Sequence, residues 1–299
     1  TWKWLLSSPP IEWGVSLLQS IFINSIKQGP VPQHVAFVMD GNRRYARKSH
    51  LETAEGHSLG FEALAKILEI CYKSGVKVVT VYAFSIENFK RSKYEVDALM
   101  DIAKIKLSQL SQHGDLLDRY GASIRVLGRT SMVSPDVLEA INKATAMTKH
   151  NTKAILNICF PYTSRDEITT SIRKIVSLSM SAPNNASPPS SPSLSDSSDT
   201  STSTHTSTTA TANHLSPPTP PYADIESICE QTIEEHLFTH GCPPLDLLIR
   251  TSGVQRLSDF MLWQCHQETD IIFVDDLWPD FDVWTFLPIL LNWGLKRKK

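Results

Sequence analysis

Asp40 is followed at once by Gly41, Asn42 and the paired guanidinium groups of Arg43 and Arg44, with Arg47 one helical turn further on. Guanidinium groups bind phosphate oxygens through charge-assisted, often bidentate hydrogen bonds. A glycine lets backbone N–H groups approach a phosphate closely, and the positive end of a following helix favours the anion. A carboxylate is acceptor-only, so its place against the same anion makes sense when a hard cation such as Mg²⁺ lies between them. The stretch therefore reads as a diphosphate-metal site. A plain turn at Asp40-Gly41-Asn42 with its arginines on a solvated face is the other reading, and this stretch alone does not separate the two.

Three further clusters have the same grammar, an apolar β-favouring run ending in polar groups. They are Tyr82 to Arg91 (YAFSIENFKR), Leu247 to Phe260 (LLIRTSGVQRLSDF) and Asp275 to Phe281 (DDLWPDF). Guanidinium groups placed repeatedly just past buried strands are hard to explain by the needs of folding. In open α/β sheets, ligands sit beyond the carboxyl ends of the strands.

The elements that must position these groups follow from periodicity. Strands are predicted at the run ending in Asp40, at Lys77 to Phe84, Ser123 to Gly128, Ala154 to Phe160, Leu245 to Thr251 and Asp270 to Val274. Helices are predicted for Gly56 to Ser74, closed by Gly75, and for Ser92 to Asp118, with Ser92 and Glu95 forming a capping box. Others are Pro135 to His150 capped by Ser134, Asp166 to Met180, Asp224 to Phe238, a short one around Ser258 to His266, and Thr285 to Leu295. This alternation implies an α/β fold, a single domain with a mostly parallel central sheet of about six strands flanked by helices. Between Ser181 and Pro221, 28 of 41 residues are Ser, Thr or Pro and none is Lys or Arg, which predicts a disordered insertion. The domain then runs from 30 to 299, interrupted by 181–221.

Residues 1–29 form an amphipathic segment. Trp2, Trp4, Leu5 and Leu6 precede Pro9-Pro10, after which Ile11, Val15, Leu18 and Phe22 recur at helical spacing, widened by Trp13, Leu17 and Ile21. This suits a helix lying on a membrane surface, or equally one packed on the domain's own core. No window reaches the roughly 20 apolar residues of a membrane span. The net charge of −2 carries no bias toward nucleic acid, so anion binding must come from local clusters. Five dispersed cysteines, with no C-x-x-C pair, predict reduced thiols and neither a disulfide framework nor a zinc site.

Together the motifs closely resemble those of the cis-prenyltransferases, the undecaprenyl and dehydrodolichyl diphosphate synthases, from Pro32 to Trp293 apart from the insertion. The Met-Asp-Gly-Asn-Arg-Arg-Tyr-Ala-Arg, Phe-Ser-x-Glu-Asn-Phe-x-Arg and Arg-Thr-Ser-Gly-x-x-Arg-Leu-Ser-Asp-Phe patterns are similar to the eukaryotic, dolichol-making branch. The resemblance implies repeated condensation of isopentenyl diphosphate onto an allylic, farnesyl-type diphosphate. It implies that Asp40 holds Mg²⁺, and that Asn88 and Arg91 act at the reacting centre. Substrate binding would fall to Gly41, Asn42, Arg43, Arg44, Tyr45, His57, Ser85, Glu87, Phe89, Arg250, Arg256, Leu257 and Ser258. On residue type alone, His57 reads as a helix N-terminal cap, Asn88 as a turn former and Ser258 as an N-cap. The family often assigns proton acceptance to the position of Asn88, but an amide lacks basicity near neutral pH, so orienting substrate suits it better. Leu64, Ile67, Leu68, Leu99, Met100 and Phe160 are candidates for an apolar product tunnel or simply for core.

Two departures from the family pattern bear on partners. Thr269, beside Glu268, stands where bacterial members carry a glutamate metal ligand. Asn292-Trp293-Gly294 replaces the Arg-x-Gly element of single-subunit members, which implies a heteromer with a Nogo-B-receptor-like, non-catalytic subunit, a homodimer being the alternative. The resemblance also implies peripheral attachment to the cytosolic face of the endoplasmic reticulum, and the basic end Lys296 to Lys299 suits either anionic lipid or solvent. A trans-prenyltransferase is excluded because Pro279 stands where Asp-Asp-x-x-Asp needs its last aspartate. A P-loop enzyme is excluded for want of its signature. A non-catalytic scaffold subunit is the rival from another class; it would be expected to lose the Asp and Arg motifs kept here.

Overall fold

The structure, a computed structural model, describes residues 9–112, 115–180, 225–266 and 268–298. Its strands are β1 His34–Val38, β2 Val78–Tyr82, β3 Ala122–Leu127, β4 Ala154–Cys159, β5 Leu247–Arg250 and β6 Asp270–Phe273. They form one sheet in the order β3-β4-β2-β1-β5-β6, with every pair parallel. β1 is buried along its whole length, as a parallel strand covered on both faces must be. Side chains alternate across the sheet. Val35, Phe37, Val79, Val81, Leu156, Ile158, Leu247 and Ile249 enter the larger core. Ala36, Val38, Cys159 and Leu248 enter a smaller one with Tyr162, Phe260 and Met261.

The helices are α1 Pro9–Lys27, α2 Asn42–Lys48, α3 Thr53–Ser74, α4 Lys93–Gln112, α5 Asp115–Tyr120, α6 Pro135–Thr148, α7 Ser164–Met180, α8 Glu230–Glu234 and α9 Val283–Arg297. From β1 the chain moves to β2 on one side, and from β5 to β6 on the other, so the connections diverge between β1 and β5. That divergence opens a crevice at the carboxyl ends of these two strands, the place where open α/β sheets bind ligands. By contacts the chain separates into two units, Thr1–Thr170 with Leu237–Lys299, and Ser171–His236. In the second unit the Ser171 hydroxyl donates to the Ile233 carbonyl. The predicted insertion at 181–221 lies outside the described residues.

The helix expected over Ser92 to Asp118 is described as α4 up to Gln112 and α5 from Asp115, residues 113–114 lying outside the described residues, and its Ser92–Glu95 capping box is half made. Ser92 Oγ accepts the Glu95 N–H at 3.3 Å, while the Glu95 carboxylate faces Arg91 and Arg43. The helix expected over Asp224 to Phe238 is only a 3₁₀ turn at Ile225–Ser227 and the short α8, because Cys229 stops to cap α8 and its neighbours are weak helix formers. None forms around Ser258 to His266, where Ser258, Asp259 and Met261 have φ of 52°, 61° and 47°. A right-handed helix cannot pass through such residues. At the N-terminus, α1 buries Ile23 and Ile26 in the larger core and leaves Leu17, Leu18, Ile21 and Phe22 exposed, Phe22 standing edge-on to Trp284. No described helix is long and apolar enough to cross a membrane.

At the start of β1, His34 is buried, with Nδ1 3.0 Å from the Pro243 carbonyl and Nε2 2.7 Å from Thr80 Oγ1. A carbonyl only accepts, so Nδ1 carries the proton and Nε2 accepts from the threonine. Burial lowers this imidazole to about 4, against which its bond to Pro243 works weakly. The unfolded chain therefore binds a proton that the native state refuses, and stability falls as pH drops from the ordinary histidine range toward 4. Denaturant titrations should show His34 costing about 2 kcal/mol between about pH 7.5 and about pH 5. His34→Gln should be less stable at the higher pH and lose correspondingly less on acidification.

Candidate active site

The floor of the crevice is an ion pair. Arg250, the last residue of β5 and only 3% exposed, points Nη2 at Asp40 Oδ2, 2.9 Å away, and Nη1 at Ser258 Oγ, 2.7 Å away. Nη1 also donates to the Arg256 carbonyl. Asp40 is held from behind by Thr251, whose hydroxyl accepts the Asp40 N–H at 3.0 Å and donates to the Asp40 carbonyl at 2.7 Å. Burial would raise the Asp40 carboxyl, but the hydrogen bond and charge of Arg250, with Ser252 and Arg44, outweigh it and hold the group below the usual carboxylate range. Asp40 is thus ionised at neutral pH, a carboxylate with lone pairs to spare. Gly41 turns the chain at φ 111°, and a Cβ there would press on Leu277 at 3.0–3.1 Å. The helix it opens, α2, has no side-chain cap.

A wall of cations rises from this floor. Arg44 reaches the Ser252 carbonyl at 3.1 Å and Asp40 at 3.7 Å, while Arg43 and Arg91 share Glu95 at 3.3 and 2.8 Å. His57 lies among them with Nε2 buried and unpartnered. Desolvation first, then Arg91 and Arg43, opposed by Glu95, lower His57 to about 4, so at neutral pH it is an uncharged imidazole on the cleft lining. Across the cleft, the 3₁₀ turn Ile86–Lys90 is capped reciprocally, Asn88 Oδ1 accepting the Ser85 N–H at 3.0 Å. A backbone N–H only donates, so the amide orientation is forced and the NH₂ of Asn88 is what remains for a ligand. Asn88→Asp keeps that cap but presents a second acceptor. It should lower kcat/KM by about 10²-fold with little change in melting temperature, whereas Asn88→Ala should lower both.

The cleft encloses about 700 Å³ and is lined by six basic side chains against three acidic ones. Its polar end grades into an apolar one made by Phe61, Leu64, Leu99, Ile102, Ala103, Leu107, Val126, Ile158 and Phe160. The rungs from α4 recur at helical spacing, and Lys106 sits about 10 Å beyond Leu99 along the axis, its Nζ 4.8 Å from the Phe61 ring centroid. A polar anion site leading into an apolar slot suits an amphiphile with a charged head.

Most of the predicted residues converge here. Asp40, Gly41, Asn42, Arg43, Arg44, His57, Ser85, Glu87, Asn88, Arg91, Arg250, Arg256 and Ser258 all line the cleft. Tyr45, Phe89, Leu257 and Arg47 do not: Phe89 packs edge-on against Phe84, and Leu257 joins the smaller core. Of the predicted tunnel residues, Leu64, Leu99 and Phe160 line the cleft, while Ile67, Leu68 and Met100 are core. Thr269 turns its hydroxyl to the Leu245 and Gln264 carbonyls, and Glu268 lies on the surface beside Arg297. Neither reaches the cleft, and among the described residues no three His, Cys, Asp or Glu side chains gather as a metal site. Trp278 was missed as a site residue. Its indole N–H donates to the Gly60 carbonyl at 2.7 Å and its backbone N–H to the Asp40 carbonyl at 3.0 Å, clamping α3 to the floor. Phe61 was missed too, although its position four after His57 put it on the same helix face.

A family model described as "Putative undecaprenyl diphosphate synthase" matches residues 38–299. The chain is 50% identical over 295 residues to a dehydrodolichyl diphosphate synthase complex subunit of Schizosaccharomyces pombe, covering 99% of this chain and 97% of the relative. It is 40% identical over 286 residues to the dehydrodolichyl diphosphate synthase complex subunit of Homo sapiens, covering 96% and 74% respectively. Among solved structures, lavandulyl diphosphate synthase from Lavandula x intermedia, in complex with dimethylallyl diphosphate, superposes with a TM-score of 0.70 at 27% identity, covering 88% of this chain and 95% of that one.

Proposed function

The chain belongs to the cis-prenyltransferase family, that of the undecaprenyl and dehydrodolichyl diphosphate synthases, and from this membership we propose that it is the catalytic subunit of a dehydrodolichyl diphosphate synthase. The observation that carries the reading is the ionised Asp40 held by Arg250 at the crevice between β1 and β5, with a cationic wall above it and an apolar slot beside it. A non-catalytic scaffold has no need of such a floor.

In this reading Arg43, Arg44, Arg91 and the neutral His57 hold the allylic diphosphate, and Arg250, Arg256 and Ser258 hold that of isopentenyl diphosphate. Asp40 fits Mg²⁺, because that ion takes one or two carboxylates and completes its shell with substrate phosphates and water. Bound there, the ion would neutralise charge that builds on the departing diphosphate. Asn88 orients substrate by donation, and a diphosphate oxygen is the better acceptor for the proton lost at each condensation. Phe61, Leu64, Leu99 and Phe160 sheath the hydrocarbon and keep water from the allylic cation.

Attachment to the endoplasmic reticulum membrane is supported by the open apolar face of α1. A partner is supported by the relatives' being complex subunits, and that it is Nogo-B-receptor-like is inferred from residues 292–294, where the Arg-x-Gly element of single-subunit members is replaced. Those residues lie in α9, where Trp293 is buried and Gly294 packs so close to the Pro30 carbonyl that a Cβ would stand 2.8 Å from it. The test is incorporation of radiolabelled isopentenyl diphosphate onto farnesyl diphosphate with Mg²⁺, by the chain alone and with a candidate partner. Long cis-polyprenyl product that depends on the partner is expected. Full activity alone would sink the partner, and no activity in any pairing of folded protein would favour the scaffold.

A further inference from the structure

We propose that Arg165, which does not line the cleft, is the positioning residue that sets the anion pocket of Arg250, Arg256 and Ser258. The proposal rests on the reading that this pocket holds one substrate diphosphate. Ser258 Oγ is the hub, accepting from Arg250 at 2.7 Å and from Arg256 Nε at 3.3 Å. Its backbone is left-handed, as are Asp259 next to it and Met261, three non-glycine residues within four positions. Such conformations persist only where the surroundings over-determine them.

The determining contacts come from the start of α7. Arg165 donates its backbone N–H to Asp259 Oδ1 at 3.1 Å and its Nε to Asp259 Oδ2 at 2.7 Å. The Ser164 N–H donates to the Asp259 carbonyl at 2.7 Å, and Ser164 Oγ accepts the Leu262 N–H at 3.0 Å. Arg165 then extends Nη2 to Glu87 Oε1, 3.7 Å away, on the turn that carries Ser85 and Asn88. One side chain therefore ties the two walls that must bring two diphosphates into register. Its 73% exposure means the ion pairs contribute little to global stability, so the effect of removing it is geometric.

The experiment uses the full chain with whatever partner activity requires, and compares Arg165→Ala, Asp259→Asn, the double variant and Arg129→Ala. Arg129 pairs with Asp166 on the same turn of α7 but touches neither wall, so it reports merely structural loss at that helix end. Arg165→Ala should raise the KM for isopentenyl diphosphate about tenfold or more, with the KM for farnesyl diphosphate within about twofold and melting nearly unchanged. The double variant should be no worse than the worse single one. Isothermal titration with inorganic diphosphate should show the same weakening without turnover. Unchanged kinetics and titration for Arg165→Ala beside an active wild type, or an equal rise in KM for Arg129→Ala, would overturn the proposal. An inactive wild type that still binds diphosphate, and binds it more weakly without Arg165, would support the clamp while overturning the catalytic reading.

Discussion

Asp40→Ala should abolish product formation, with kcat/KM lower by about 10³-fold or more, the scale expected when charge stabilisation of a leaving group is removed. It should also destabilise the fold, since Arg250 is almost wholly buried and would lose the carboxylate it pairs with. A buried charge stripped of its partner costs about 3–5 kcal/mol, and because the Asp40 side chain is 35% exposed, water in the cleft reduces this toward about 1–2 kcal/mol. Asp40→Asn separates the two effects. An amide oxygen can still accept from Arg250 and the Thr251 latch is untouched, so melting should recover while activity does not. Initial rates beside calorimetric melts of both variants check this, and substantial turnover by Asp40→Asn would remove the carboxylate from the chemistry.

Arg250→Lys should be nearly as damaging, despite keeping the charge. One guanidinium serves Asp40, Ser258 and the Arg256 carbonyl from two different nitrogens. An ammonium is a point charge on a flexible stem that cannot reproduce this fork, and burial works against its protonation. The expected result is a loss of about 10²-fold in kcat/KM, expressed mainly as a raised KM for isopentenyl diphosphate. Kinetics with each diphosphate varied in turn would show it. A lysine variant within about threefold of wild type would mean that charge alone suffices there.

What could be read before the fold was known follows a physical divide. The local structure of Asp40 to Arg44 was legible because strand, turn and helix start are contiguous, although that stretch alone left a diphosphate site and a plain turn both open. Asn88 was legible as a turn former, and its oxygen does cap the turn, while the side chain also lines the cleft where the sequence pattern had put a site residue. The Ser258 to His266 segment was not legible. Its composition suits a helix, but its backbone is bound by Ser164 and Arg165, residues almost a hundred positions away. Nor could spacing separate Leu64 from Leu68, both on the inner side of α3, one facing the cleft and one the core. Trp278 looked like part of a ligand-bearing strand end, and only the fold shows it to be a buttress.

The order of the sheet has a consequence for how the protein is made. β1 pairs with β2 within some forty residues, but its other edge must wait for β5, and Asp40 meets Arg250 across a separation of 210 residues. During synthesis β1 to β4 can assemble while that edge stands open, a row of unpaired backbone groups that invites wrong partners. A longer connection between β4 and β5 would hardly change the equilibrium, since each doubling of loop length costs only about 0.6 kcal/mol. It does lengthen the time the edge stays open, so insertion length bears on yield and chaperone dependence more than on final stability.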